Sequence, residues 1–204
     1  GGMIHPNEAH RNSTRQRLLE TVVHLLDAQP RDSITTGLVL QLSGASTSSL
    51  YHYYGNFSSL LIEAEIVRFQ NETGVAKTRI HTLLTRAKTR KQFLQSLSVL
   101  IAGDSRHSRD QLPAAPLVPR DVTLTDKAKT AMRDALQCLI HAIGNELERA
   151  QGQGWLSKDL DKTATASIVL SYLAGRDLNG ALWSEEERSR WRSRIRAHIS
   201  LLFA

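Results

Sequence analysis

The chain has 204 residues, 41% of them hydrophobic, with 26 Lys and Arg against 20 Asp and Glu for a net charge of +6. That length suits one large or two small domains of a globular protein. No apolar run approaches the roughly 18 residues of a membrane span, and the opening GGMIHPNEAH lacks the apolar core of a secretory signal.

In chain order, the apolar residues recur at helical spacing almost everywhere, and no strand pattern stands out. Gly1-Gly2 before Met3 reads as a cloning remnant. Arg11 to Gln29 predicts a first helix with a stripe of Leu18, Val22, Leu25 and Leu26, stopped by Pro30. Thr35 is a natural N-cap for a short helix from Thr36 to Ser43, with Leu38, Val39 and Leu42 on its buried side. Gly44-Ala45 turns the chain, and Ser46 caps a third helix reaching Tyr53 or Tyr54, pinned by Leu50.

Ser58 is placed to cap a long fourth helix with Leu60, Leu61, Ala64, Val67 and Phe69 along one side and Gly74 inside it or near its end. A fifth helix, Lys91 to Gly103, presents Phe93, Leu97, Leu100 and Ile101. Pro113, Pro116 and Pro119 predict a loop over 104–120. Thr125 or Asp126 caps the next helix, which carries Ala128, Leu139, Ile143 and Leu147 toward Gly152. A helix through about Asn179 lines up Ala164, Ile168, Tyr172 and Gly175. Ser184 caps the last one, with Glu185 to Glu187 in the turn where the macrodipole favours acids. Its apolar face is Trp191, Ile195, Ile199 and Leu202.

The fold class is therefore all-α. A net positive charge suggests a polyanionic partner, but its distribution does not mark the place. Between residues 10 and 57, Arg11, Arg15, Arg17 and Arg31 are nearly cancelled by Glu20, Asp27 and Asp32. The excess lies at Lys77, Arg79, Arg86, Lys88, Arg90, Lys91, Arg106 and Arg109, which reads first as a solvated helix face. Cys138 is the single cysteine; it excludes an internal disulfide, fits a reducing cytoplasm and is expected to be a buried small hydrophobe.

The informative stretch is 34–60. A glycine between two short helical patterns marks a helix-turn-helix. Its second helix displays hydroxyls and an imidazole, groups suited to phosphates and base edges. The string Gly44-Ala45-Ser46-Thr47-Ser48-Ser49-Leu50-Tyr51-His52-Tyr53-Tyr54-Gly55-Asn56, followed by Leu60-Leu61, resembles the signature of the tetracycline-repressor (TetR) family of bacterial transcription regulators. The motif covers about the first third of the chain; the remainder is similar to the family only in being helical and of suitable length.

The resemblance implies a two-fold homodimer whose third helix enters the major groove of double-stranded operator DNA. It also implies a body that binds a small-molecule effector, without a cofactor. The expected division is a DNA-binding domain at 3–57 and a helical ligand-binding and dimerisation domain at 58–204, joined by a long helix. Carried over by position, Thr47, Ser48 and His52 read base edges. Thr36, Ser49, Tyr51 and Tyr53 lie at phosphates or the groove edge, with Thr35 and Ser46 at the helix starts. Phe57 departs from the family pattern: most members have a Lys there, so a phosphate ion pair is missing and the ring is free to pack on the first helix.

Other readings of these residues are weaker. Ser48 and His52 stand four apart, but no acid nearby in sequence orients the imidazole as a catalytic triad needs, so no enzyme is expected. The histidines form no metal-binding spacing. Phe69, Phe93, Met132, Trp155 and Tyr172 are candidates for lining an effector pocket, though each also fits plain core. The basic run raises an anionic effector or contact with DNA flanks. Ala164, Ile168, Tyr172, Trp191, Ile195, Ile199 and Leu202 are the expected dimer interface, because a helix apolar on two sides needs a second partner. The alternative to a regulator is an all-α ligand-binding or catalytic bundle in which the helix-turn-helix is only structural.

Overall fold

The structure, a computed structural model, describes residues 6–102, 125–180 and 183–203. Those residues form helices α1 (Pro6–Ala28), α2 (Thr36–Ser43), α3 (Thr47–Tyr54), α4 (Phe57–Thr85), α5 (Arg90–Ala102), α6 (Asp126–Gly152), α7 (Lys162–Gly180) and α8 (Glu185–Leu202). A 3-10 turn at Arg31–Ser33 links α1 to α2, and no strand occurs among the described residues. The all-α expectation holds. The loop expected over 104–120 lies outside the described residues.

Packing divides the chain into two units that share α4 and α6. The first holds α1 to α3, α4 as far as Gln70 and the start of α6 up to Met132. The expected boundary at 57/58 coincides with the first residue of α4, whereas the packing division falls between Gln70 and Asn71.

The core of the first unit is drawn from four helices. Leu18, Val22, Leu25 and Leu26 of α1 meet Val39 of α2, Leu50 and Tyr54 of α3, and Leu60, Leu61 and Ala64 of α4. The 3.6-residue period of α1 puts its four residues on one stripe. Phe57 packs against this cluster, as the sequence suggested for a ring in place of a lysine.

In the second unit, Ile80 and Leu84 of α4, Phe93, Leu97 and Ile101 of α5, Leu139, Ile143 and Leu147 of α6, Val169 and Leu173 of α7, and Ile195 and Ile199 of α8 form one cluster. Arginines tie the helices to exposed backbone ends. Arg90 donates to the carbonyls of Trp155 at 2.9 Å and Phe203 at 2.6 Å, and Arg176 donates to that of Leu100 at 2.8 Å. The bonds to Leu100 and Phe203 satisfy carbonyls at helix ends, which have no partner within the helix, and the one to Trp155 holds the turn after α6. Arg90 therefore has a structural task within the basic run.

Several local expectations are corrected. The described helix α1 starts at Pro6 rather than Arg11; proline is tolerated in a first turn because its missing N–H is not needed there. Asn56, not Ser58, caps α4, its Oδ1 accepting from the Ser59 N–H at 2.8 Å. The helix runs through Gly74 to Thr85, and Ile66 rather than Val67 is buried on it. Leu42 is 57% exposed, since α2 turns Val39 and Ser43 inward. Cys138 is exposed on α6. On α7 the buried face is Thr165, Ala166, Val169, Leu170 and Leu173, leaving Ala164 and Ile168 outside.

Candidate nucleic-acid interface

The turn and both caps around α3 are built locally. Thr35 Oγ1 accepts from the Leu38 N–H at 3.3 Å and starts α2. Gly44 ends it at φ 64°, in the left-handed region where a side chain is strained. Ser46 Oγ then accepts from the Ser49 N–H at 3.1 Å and starts α3. Gly55 ends α3 at φ 75°. Two left-handed glycines thus fix both the entry to α3 and the exit from it.

The two sides of α3 differ. Leu50 is fully buried and Tyr54 nearly so. The Tyr54 hydroxyl donates to the Arg15 carbonyl of α1 at 2.8 Å, and the Arg15 guanidinium lies 5.5 Å from the ring centroid while pairing with Glu63 of α4 at 2.7 Å. Burial, partly opposed by Arg15 and reinforced by Glu63, pushes the Tyr54 phenol up to about 12. The phenol therefore stays neutral and serves as a buried hydrogen-bond donor. Tyr54 is thus a core residue of the first unit.

The other side faces outward. Thr47, Ser48, Tyr51 and His52 are exposed, Tyr51 by 53%, at the one- and four-residue spacings that share a helix face. Ser49 and Tyr53 are half-buried at its margin, and Tyr53 meets the His52 ring edge-on at 4.9 Å between centroids. Ser46 is exposed but its hydroxyl is engaged, lying 2.9 Å from those of both Ser48 and Ser49. Thr35 is exposed and Thr36 half-buried at the start of α2. The nine sequence-predicted residues thus fall into four on the open face of α3, two at its edge, and three at helix starts where Thr35 and Ser46 act as caps.

The candidate pocket residues are divided between the two units. Phe69 and Met132 are buried in the first unit. Phe93 and Trp155 meet in the second, 5.9 Å apart, and Tyr172 packs on Trp191 at 6.3 Å. Phe93 is fully buried within the core. A separate groove of about 280 Å³ lies along α4 and α5, lined by Leu83, Arg86, Ala87, Gln92, Gln95, Ser96 and Val99.

The expected dimer residues also divide. Ile195 and Ile199 are 2% exposed and belong to the protomer's own core, a correction to their assignment as contacts with a second copy. Ile168 is 42% and Leu202 36% exposed. Tyr172 and Trp191 are half-buried, and Trp183 stacks on Trp191 at 5.4 Å. The indole N–H of Trp191 is buried without a hydrogen-bond partner among the described residues.

One cluster had no signal in single-residue patterns. The buried carboxylate of Glu146 on α6 meets His81 Nδ1 of α4 at 2.8 Å and Arg149 Nε at 3.0 Å. Arg149 also donates to the Leu84 carbonyl at 2.7 Å and lies 5.6 Å from the centroid of the Trp155 ring. Only the three-residue spacing of Glu146 and Arg149 hinted at it. Among the described residues no helix is long and apolar enough to cross a membrane.

The fold is that of TetR-family transcriptional regulators. A regulator of that family from Cytophaga hutchinsonii superposes with a TM-score of 0.66 at 15% identity, covering 94% of this chain and 95% of that one. The reduced form of NemR from Escherichia coli does so with a TM-score of 0.63 at 15% identity, covering 94% and 97%. FadR from Bacillus subtilis, in complex with stearoyl-CoA, gives 0.54 at 13% identity, covering 93% and 97%. No protein-family model matches the sequence, and no curated protein matches it.

Proposed function

We propose that the chain is a bacterial, cytoplasmic, DNA-binding transcriptional regulator: a homodimeric repressor released from its operator by a small molecule. The observation that carries this reading is the two-sided α3, anchored by Leu50 and Tyr54 and offering Thr47, Ser48, Tyr51 and His52 to a partner. Hydroxyls on such a face bind phosphate oxygens, and side chains at its centre reach base edges. The fold shared with regulators supports it. The FadR neighbour bound to stearoyl-CoA supports an organic effector, here unidentified. The exposed Ile168 and Leu202 beside Tyr172 and Trp191 support pairing of two copies through α7 and α8.

The test is a gel shift with the DNA upstream of its own gene. Specific retardation that is lost in a Thr47→Ala, Tyr51→Ala double variant is the expected result. Absence of sequence-specific binding at any salt concentration, with a ligand-free folded dimer, sinks the reading and favours a helical bundle with a structural helix-turn-helix.

A further inference from the structure

We propose that operator binding is coupled to proton uptake at His52, so that the charge of the reading face is supplied on demand. This rests on the DNA-binding reading. Its basis is the charge of the first unit. Between Pro6 and Gln70, Arg11, Arg15, Arg17, Arg31 and Arg68 stand against Glu8, Glu20, Asp27, Asp32, Glu63 and Glu65. The start of α6 adds Lys127 and Lys129 against Asp126, which brings this set of residues to formal neutrality. The whole chain's +6 therefore lies elsewhere.

Several of these cations are also engaged. Arg15 pairs with Glu63 at 2.7 Å and Arg68 with Asp27 at 2.8 Å; Lys127 lies 3.8 Å from Glu63 and Lys129 3.9 Å from Asp126. Neither α2 nor α3 contains a lysine or arginine, and Phe57 opens α4. Affinity for duplex DNA rests largely on cations that displace its condensed counterions. A neutral head with a hydroxyl-rich reading helix has little of that term.

His52 is the exception. It is exposed on the same face as Thr47, Ser48 and Tyr51, and histidine is the side chain whose charge ordinarily changes between pH 5 and 8. The charged and titratable groups around it are few. On α3 they are the phenols of Tyr51, Tyr53 and Tyr54; α2 has none; from α1 Arg15 lies over the Tyr54 ring, its charge paired with Glu63 of α4. The ring contacts Tyr53, and no carboxylate pairs with it among the described residues. Protonated, the imidazole offers two N–H donors and a positive charge to phosphate oxygens or to a guanine edge. Phosphates nearby favour the charged form. The sign follows: binding strengthens as pH falls and weakens as it rises.

The experiment uses the full-length protein and a fluorescent duplex selected by it from a randomised library, with a scrambled duplex as control. Affinity is measured by anisotropy from pH 6 to pH 8 at several salt concentrations. Binding is expected to strengthen about sixfold per subunit on going from pH 8 to pH 6. The slope of log affinity against log salt steepens by about 0.9 for each imidazole that becomes charged. The variant His52→Asn, which keeps a donor but cannot charge, is expected to lose both effects. His52→Arg is expected to bind tightly at pH 8 with the steeper slope at every pH. Specific but pH-independent binding by the wild type, or a pH dependence retained in His52→Asn, overturns the proposal and leaves the regulator intact. Failure to select any sequence at either pH removes both.

Discussion

Tyr54 on α3 and Arg15 on α1 are joined twice, by the phenol hydroxyl donating to the Arg15 carbonyl at 2.8 Å and by the guanidinium lying over the same ring. The pair fixes the rotation of α3 about its own axis, because Tyr54 and Leu50 are one turn apart on the packed side. Tyr54→Phe keeps the ring and loses the bond, at a cost of about 1 kcal/mol in unfolding free energy. Because the folded phenol titrates near 12 rather than 10.0, stability is complete below pH 10 and falls as pH rises from 10 to 12. Chemical denaturation across that range is expected to show a smaller alkaline loss for Tyr54→Phe than for the wild type.

Opposite sides of α3 are expected to fail differently. Leu50→Ala removes a fully buried side chain and should destabilise the head by about 2–5 kcal/mol. Tyr51→Ala and Thr47→Ala alter exposed positions and should stay within about 0.5 kcal/mol of the wild type. Operator affinity should nevertheless fall in all three. Thermal unfolding alongside gel shifts separates loss of fold from loss of contact; equal destabilisation by Leu50→Ala and Tyr51→Ala would contradict the assignment of faces.

The buried Glu146 depends on its cations. Arg149→Ala leaves that carboxylate with His81 and removes one of two donors to the Leu84 carbonyl, the other being the Ala87 N–H, an expected loss of about 3 kcal/mol. Glu146→Gln in the same chain should restore part of it, since the uncompensated charge is removed. Urea denaturation of the single and double variants measures the difference. A double variant less stable than Arg149→Ala would show that Glu146 gains its support elsewhere.

Two isoleucines predict two phenotypes. Ile168, 42% exposed, lies on the face proposed to meet a second copy, so Ile168→Glu should yield a folded monomer by light scattering. Ile199, 2% exposed in the protomer's own core, should lower the melting temperature when changed to Ala without selectively dissociating subunits. A dimer that persists in Ile168→Glu at micromolar concentration would place the interface elsewhere.

Much of the head was legible because its signals are local. Thr35, Ser46 and Ser184 cap the helices they were expected to cap, and Thr125 Oγ1 accepts from the Ala128 N–H at 3.2 Å. The cap of α4 was misread because Asn56 and Ser58 are both good caps and the chain turns at the first. Periodicity found the helices of the body but not always their orientation. On α7 one apolar stripe, Ala166, Val169 and Leu173, goes inward, and the equally visible Ala164, Ile168 and Tyr172 stripe lies further out. Ile195 and Ile199 went to the core for the same reason: a pattern gives the width of a face but not the neighbour that covers it. Glu146, His81 and Arg149 meet only after α4 packs on α6, which sequence spacing cannot reveal.

The two left-handed glycines have a consequence for how such a protein changes over generations. Gly44 and Gly55 set the path of α3 through backbone geometry, and Leu50 and Tyr54 hold it from behind. Nothing in that support uses the Thr47, Tyr51 or His52 side chains. Those positions are consequently free to drift, and under the proposed DNA-binding role a lineage can acquire a new target sequence through one or two substitutions without first evolving a compensating repair of the fold.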